Sequence, residues 1–175
     1  MIEISEIREY LRVDAGVDTD TLTTLLNAAI TETEDHCGRV WLTRTITETH
    51  RPYRTLLLRR RPVTEVVSVL RDGIEMDPDE YAEELDVARL YRNMDWHGEI
   101  SVTYVAGYGV TASAVFAAVP QVKAALLDTI AHWYNNRTNV QSVGVQGAGT
   151  VTYASSMPLP ASAMAKLRAL VVPRV

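Results

Sequence analysis

Apolar residues recur along the chain at two different spacings. At the start the spacing is helical. Ile4, Ile7 and Leu11 share one side of a short helix over 4–11. A loop with Asp14, Gly16 and Asp18 follows. Asp20, a natural N-cap, then opens a longer helix over 20–37 with Leu22, Leu25, Leu26, Ala29, Ile30 and Cys37 on its apolar face. Gly38 stands where a C′ glycine ends a helix. In the middle the period falls to two. Thr45, Thr47 and Thr49 alternate with Ile46, Leu56–Leu58 is a short apolar run, and Val63–Leu70 is rich in valine. Asp72-Gly73 is a hairpin dipeptide. Leu85–Tyr91 and Ile100–Val105 are further strand candidates, the second with Ile100, Val102, Tyr104 and Ala106 on one side. Pro52, Pro62 and Pro78 fall between the runs, where strands tolerate proline. Helical spacing returns at Pro120, a favourable first helical residue, with Val122, Leu126, Ile130 and Trp133 as the stripe. Pro160 opens a last short helix, with Met164, Leu167, Leu170 and Val171 on its apolar side, and Pro173 ends it.

This pattern predicts an α+β, mainly α fold: a helical bundle, with helices near 4–11, 20–37, 120–137 and 161–172, and a small antiparallel β element inserted near 43–106. The length suits a single domain over 1–175. Residues 138–160 read as a flexible loop or arm with Gly144, Gly147 and Gly149, and 161–175 as a separate terminal helix and tail. The expected core joins Leu22, Leu26 and Ile30 of the second helix to Leu126, Ile130 and Trp133 of the third.

Charge changes the picture more than composition does. The net charge is −5, unevenly spread: residues 44–61 hold six arginines and one acid, and 72–99 hold ten acids and two arginines. From 106 onward there are five basic residues and one acid, Asp128. Separate acidic and basic blocks suit head-to-tail contact between copies, where unlike surfaces meet. A net negative chain argues against a general nucleic-acid binder. No stretch approaches the ~20 apolar residues that span a bilayer. The opening Met1–Glu6 has neither the basic nor the apolar region of a secretion signal. A cytoplasmic product with no membrane partner is expected.

Candidate chemistry is thin. His36, His50, His97 and His132 make no metal-like spacing, and His36 and Cys37 are adjacent, so on a helix they point apart. Cys37 follows Glu34 and Asp35 at a helix C-terminus, which disfavours the thiolate, so a structural role is expected. Gly107-Tyr108-Gly109 lacks the lysine and spacing of a phosphate loop and reads as a strand-to-helix connection with unusual φ values. Asp77, Asp79, Glu80, Glu83, Glu84 and Asp86 miss the calcium-loop spacing and read as a solvated acidic hairpin. Arg59-Arg60-Arg61 lacks the aromatic interleaving of nucleic-acid sites. No catalytic residue, metal ligand or cofactor site emerges.

Several segments, in order, resemble the head–tail connector (adaptor) proteins of tailed bacteriophages. They are the opening through Tyr10-Leu11-Arg12-Val13-Asp14; the helix from Asp18 to Gly38; Arg61-Pro62-Val63 with Val66 and Val69; Val102-Thr103-Tyr104-Val105-Ala106-Gly107-Tyr108-Gly109, then Val119-Pro120-Gln121-Val122-Lys123-Ala124-Ala125; Ala131-His132-Trp133-Tyr134-Asn135-Asn136-Arg137; and the ending Leu167 to Arg174. The glycine-rich 138–160 stretch departs from the family pattern. The resemblance implies a non-enzymatic virion protein of the neck, assembled in the host cytoplasm. It implies a ring of copies, typically a dodecamer, between the portal protein and a stopper or tail-completion protein. DNA passes through its channel with non-specific contact only. It also implies that the C-terminal part reaches the portal, a role carried to Leu167, Arg168, Leu170 and Arg174. A head-completion stopper or a tail terminator, expected to be mainly β, is the nearest alternative within the neck. A small enzyme with an unrecognised site is the alternative outside it.

Overall fold

A computed structural model describes residues 2–14, 16, 19–51, 54–136, 140–143, 151–153 and 159–172. The chain divides into two units, one built from Met1–Cys37 and Val119–Leu170, the other from Gly38–Ala118 and Val171–Val175.

The first unit is helical. It holds α1 (Ile4–Leu11), α2 (Thr19–Cys37), α4 (Pro120–Asn135) and α5 (Ala161–Leu167), the last continued by a 3-10 turn over Arg168–Leu170. α2 begins one residue before Asp20, which sits in its first turn. The 3.6-residue spacing puts Leu22, Leu26, Ala29 and Cys37 of α2, and Val122, Ala125, Leu126, Ile130 and Trp133 of α4, on buried faces. α2 packs on α4, and α5 packs on α4 as well, burying Ala163 and Leu167. Each fully buried leucine or isoleucine contributes about 1.5–3 kcal/mol of apolar transfer. Between α4 and α5, Val140–Val143 (β8) and Val151–Tyr153 (β9) pair antiparallel.

The second unit is built on two antiparallel sheets. The four-stranded sheet has the order β1 (Arg44–His50), β7 (Ile100–Ala106), β3 (Val63–Arg71), β4 (Ile74–Glu75), and the three-stranded sheet the order β2 (Thr55–Leu57), β6 (Arg89–Tyr91), β5 (Ala82–Glu84). β7 is central. Its alternation buries Ile100, Val102, Tyr104 and Ala106, which join Leu56, Leu58, Val69, Met76, Leu90 and Trp96 in one core. The β3–β4 turn is Asp72-Gly73, both residues at positive φ (51° and 83°), as a type I′ hairpin requires. After β7 the chain passes so close to Thr43 that a Cβ on Gly107 (φ +142°) would lie 2.4 Å from the Thr43 Cα; no other residue fits there. A short helix, α3 (Ala112–Ala118), ends the unit.

The expectation of a mainly α helical bundle is therefore corrected. The fold is α+β. Among the described residues, seven strands in two antiparallel sheets lie between Arg44 and Ala106, with a core of their own rather than as a minor insertion. Four of these strands, β2, β4, β5 and β6, are only two or three residues long. A period of two cannot be counted over so short a run, so long helices dominate a reading by periodicity. The expected strand over Leu85–Tyr91 is in fact a 3-10 turn (Leu85–Val87) followed by β6. α3 replaces what read as a bare connection before Pro120. Its one sequence signal is Thr111, whose Oγ1 accepts a hydrogen bond from the Ala114 N–H at 3.2 Å.

Candidate functional site

Two polar constellations stand out, one in each sheet of the second unit. The first is largely buried and begins at Glu48 on β1. Tyr104 donates its hydroxyl proton to Glu48 Oε1 at 2.5 Å, His50 Nε2 lies 2.9 Å from Glu48 Oε2, and the Arg59 backbone N–H donates to the same oxygen at 3.1 Å. Burial alone raises the Glu48 pKa. The bonds from His50, Tyr104 and Arg59 outweigh it and hold the carboxyl below its ordinary range. Burial, then the hydrogen bond to Glu48 and its charge, push Tyr104 far above the ordinary tyrosine range. Both carboxylate oxygens are thus occupied. The cluster ties β1, β7 and the chain after β2 together.

The second is open to solvent. β2 and β6 pair with Thr55 opposite Tyr91 and Leu57 opposite Arg89. Leu56 and Leu90 point into the core, so Thr55, Arg89 and Tyr91 point outward. With Arg54, Arg92, Asn93 and Asp95 they line a depression of about 440 Å³. Trp96 fixes one rim by donating its indole N–H to the Arg54 carbonyl at 3.1 Å, while the Arg92 guanidinium lies over the Trp96 ring, 5.6 Å from its centre. Arg89 is paired with Glu84 and lies over the Tyr91 ring at 5.5 Å; Arg54 Nε is 3.4 Å from Asp95 Oδ1. The buried Arg92 Nε–H has no acceptor among the described residues. Three guanidinium groups around a shallow opening suit an oxyanion, not proton transfer or nucleophilic attack.

The residues singled out from the sequence lie elsewhere. Leu22, Leu26, Leu126, Ile130 and Trp133 are buried in the helical unit, and Ile30 is half-buried. Leu167 and Leu170 are also buried, Arg168 is exposed, and Arg174 lies outside the described residues, as does much of 138–160. Asp128 is a junction. It accepts from the Tyr10 hydroxyl at 3.0 Å and from Lys166 Nζ, so α1, α4 and α5 meet at it. Its burial raises the pKa, but bonds from Lys166, Ser162 and Tyr10 lower it below the ordinary range. Cys37 is fully buried. Among the described residues no three histidine, cysteine or acidic side chains gather as metal ligands, and no single helix is long and apolar enough to cross a membrane. Sequence reasoning missed Arg89, Arg92 and the Glu48 cluster. The arginines were masked by the acidic stretch around them, and the cluster joins residues 56 apart in the chain.

Comparison with known proteins adds the decisive observation: the family model for head completion proteins matches residues 1–169. The chain belongs to that family. No curated protein matches this head completion protein significantly. Among solved structures, its fold is similar to a chain in the neck of an empty GTA particle computed with C6 symmetry, at TM-score 0.68 and 20% identity over 99% of this chain and 91% of that one. A chain in the neck of the native GTA particle computed with C12 symmetry gives 0.64 and 18% over 98% and 89%. A chain in the virion of the native gene transfer agent (GTA) particle gives 0.67 and 18% over 99% and 91%. The sequence expectation of a structural head–tail component of a phage-like particle holds.

Proposed function

We propose that this head completion protein is a subunit of a ring in the neck, joining the DNA-filled head to the tail, with no catalytic activity. The observation that carries the reading is the fold match over nearly the whole chain to subunits of neck assemblies with C6 and C12 symmetry. A closed ring of twelve copies, assembled in the host cytoplasm, sits beneath the portal protein and above a stopper or tail-completion protein. DNA passes through its channel without sequence-specific contact.

The C-terminal segment is the element proposed to meet the portal. Leu167 and Leu170 seat α5 and its 3-10 turn on the helical unit, which leaves Arg168, the half-exposed apolar Met164 and Val171, and the tail with Arg174 to make the contact. The test is Arg168→Glu in a chain stopped after residue 172, which spares the buried leucines. The variant is expected to melt like the wild type and to lose binding to purified portal protein by roughly tenfold or more. Portal binding at wild-type strength rules out this segment as the docking element.

A further inference from the structure

Edge strands of soluble proteins are blunted by shortness, by bulges or by outward charge, because their free N–H and C=O groups pair with any strand that meets them. The edge strands β2, β4 and β5 are two or three residues long. β1 is blunted in none of these ways. It runs seven residues, Arg44–His50, and pairs with β7 in unbroken register, while the extra residues of the β3–β7 ladder lie in β3. β7 is its one strand partner among the described residues, so every second residue of β1 turns its N–H and C=O away from the sheet. Between Thr45 and Thr49 the one charged residue is Glu48, which turns inward to Tyr104, and Thr45, Thr47 and Thr49 are exposed. The β8–β9 hairpin is unprotected as well. Among the described residues neither of its strands joins the other two sheets, and two strands alone are marginally stable in water. Its ladder shifts between Val140 and Ser142, which puts the extra residue in β8 and leaves β9, Val151-Thr152-Tyr153, as the regular strand. All three are strong strand formers. Residues 138–165 carry no charge, in a chain that is 22% charged, so nothing in this stretch repels another strand.

We infer that β9 of one copy adds to the free edge of β1 in the next, so that the four-stranded sheet of one subunit and the two-stranded hairpin of its neighbour become one sheet. This rests on the ring proposed above and names its contact. In strand addition the main-chain bonds supply affinity and the alternating side chains set register. The two strands alternate alike. On β1, Thr45, Thr47 and Thr49 face solvent while Ile46 packs against the core. On β9, Thr152 stands between Val151 and Tyr153. Pairing with Thr152 on the threonine side sets Val151 and Tyr153 on the Ile46 side, and a slip of one residue reverses both, so the pattern specifies the register. The main-chain bond from Arg59 to Glu48, with the Tyr104 hydroxyl on the other carboxylate oxygen, holds β1 in place as a template. A hairpin on an edge also suits a ring better than β1 paired with a second β1. The latter contact is self-complementary and stops at a dimer, whereas the former joins unlike surfaces and continues from copy to copy.

The experiment uses the full chain. It reads ring assembly by light scattering and negative-stain images, alone and with portal protein, and reads the contact by disulfide trapping. Cys37 is fully buried, so introduced thiols are the reactive ones. Thr152→Cys is combined in turn with Thr45→Cys, Thr47→Cys and Thr49→Cys, all three exposed on β1. On mild oxidation one of the three pairs is expected to give a ladder of covalent oligomers up to the closed ring, since facing Cβ atoms on neighbouring strands lie within disulfide reach. A further variant replaces residues 140–153 by glycine and serine at equal length. It is expected to melt like the wild type and to form rings roughly tenfold more weakly or worse, the scale of a few main-chain hydrogen bonds. Rings that form normally from this variant overturn the inference and leave the ring reading intact. So do rings that yield no ladder with any of the three pairs, and a disulfide confined to single chains, which puts β9 on its own subunit's sheet. Dimers trapped by Thr47→Cys alone overturn it in favour of β1 pairing with a second β1. A wild-type chain that forms no ring, with or without portal protein, defeats the ring reading itself and this contact with it.

Discussion

The two units are held together by different balances of contact. In the helical unit the apolar faces of α2, α4 and α5 do most of the work; Glu34 of α2 is buried, and two ion pairs stand at the rim. Lys166, which bonds Asp128, is 37% exposed, and the Lys123–Glu6 pair, at 2.5 Å, is 39% and 38% exposed. In the sheet unit a charged contact is inside. Glu48 is 9% exposed and Tyr104 fully buried, and their bond joins neighbouring strands. Pairs at the rim are solvated whether or not they form, so each contributes little. A buried carboxylate has no such alternative, and removing any of its partners leaves a buried charge or dipole unmatched. Loss of volume should therefore cost most among the packed helices, and loss of a hydrogen-bonding partner should cost most around Glu48.

The largest expected effect breaks the helical side. Trp133→Ala removes a large buried aromatic from α4 and should lower unfolding free energy by about 3–5 kcal/mol, measured by urea denaturation. An unchanged transition would mean that α4 is not packed as described. On the sheet side, Glu48→Ala strands the Tyr104 hydroxyl and the Arg59 N–H. It should cost about 2–3 kcal/mol by the same measurement, although the residue replaced is only a surface-type acid by composition.

Acid sharpens the contrast. Glu48 and Asp128 are both held below the ordinary carboxylate range. A carboxyl lowered on folding stabilises the protein above its unfolded pKa, and that stability is lost as pH falls through the lower, folded value. Stability should thus decline below about pH 4, and Glu48→Gln should flatten the decline in urea midpoints taken between pH 5 and pH 2. A slope identical to wild type would show that Glu48 does not change its protons on unfolding. At the other extreme, ionising Tyr104 beside Glu48 is unfavourable in the fold, so stability should also fall as pH rises past about 10, the unfolded tyrosine value. The smallest effect is Lys166→Met, which breaks the rim contact to Asp128. About 0.2–1 kcal/mol is expected, and less in high salt.

What could be read in advance follows the same division. The stripes of α2 and α4 repeat over four or more turns, and Ile100 to Ala106 alternates through a full strand, so these elements were legible without coordinates. The Asp72-Gly73 turn and the unusual backbone at Gly107 were legible for a different reason, since both are local demands on φ. The short strands were not, because Thr55–Leu57 and Arg89–Tyr91 become strands only through pairing with each other. The same pairing creates the arginine depression. Arg54 and Arg92 are distant in sequence, and Arg92 was counted as one of two bases in an acidic stretch; only the β2–β6 register makes them neighbours. Leu167 and Leu170 received a portal role from the family resemblance alone, because a short terminal helix carries no sign of where its apolar side will lie. The fold buries both side chains.

The packing of α5 on α4 has a consequence for how such a chain can change. α4 ends at Asn135 and α5 begins at Ala161, and these two helices pack on each other. Everything between is a closed excursion, whose two ends stay fixed whatever its length. Doubling a loop of this kind costs only about 0.6 kcal/mol in closure entropy. Lengthening or shortening the chain between these helices should therefore cost little as long as α4 and α5 keep their packing.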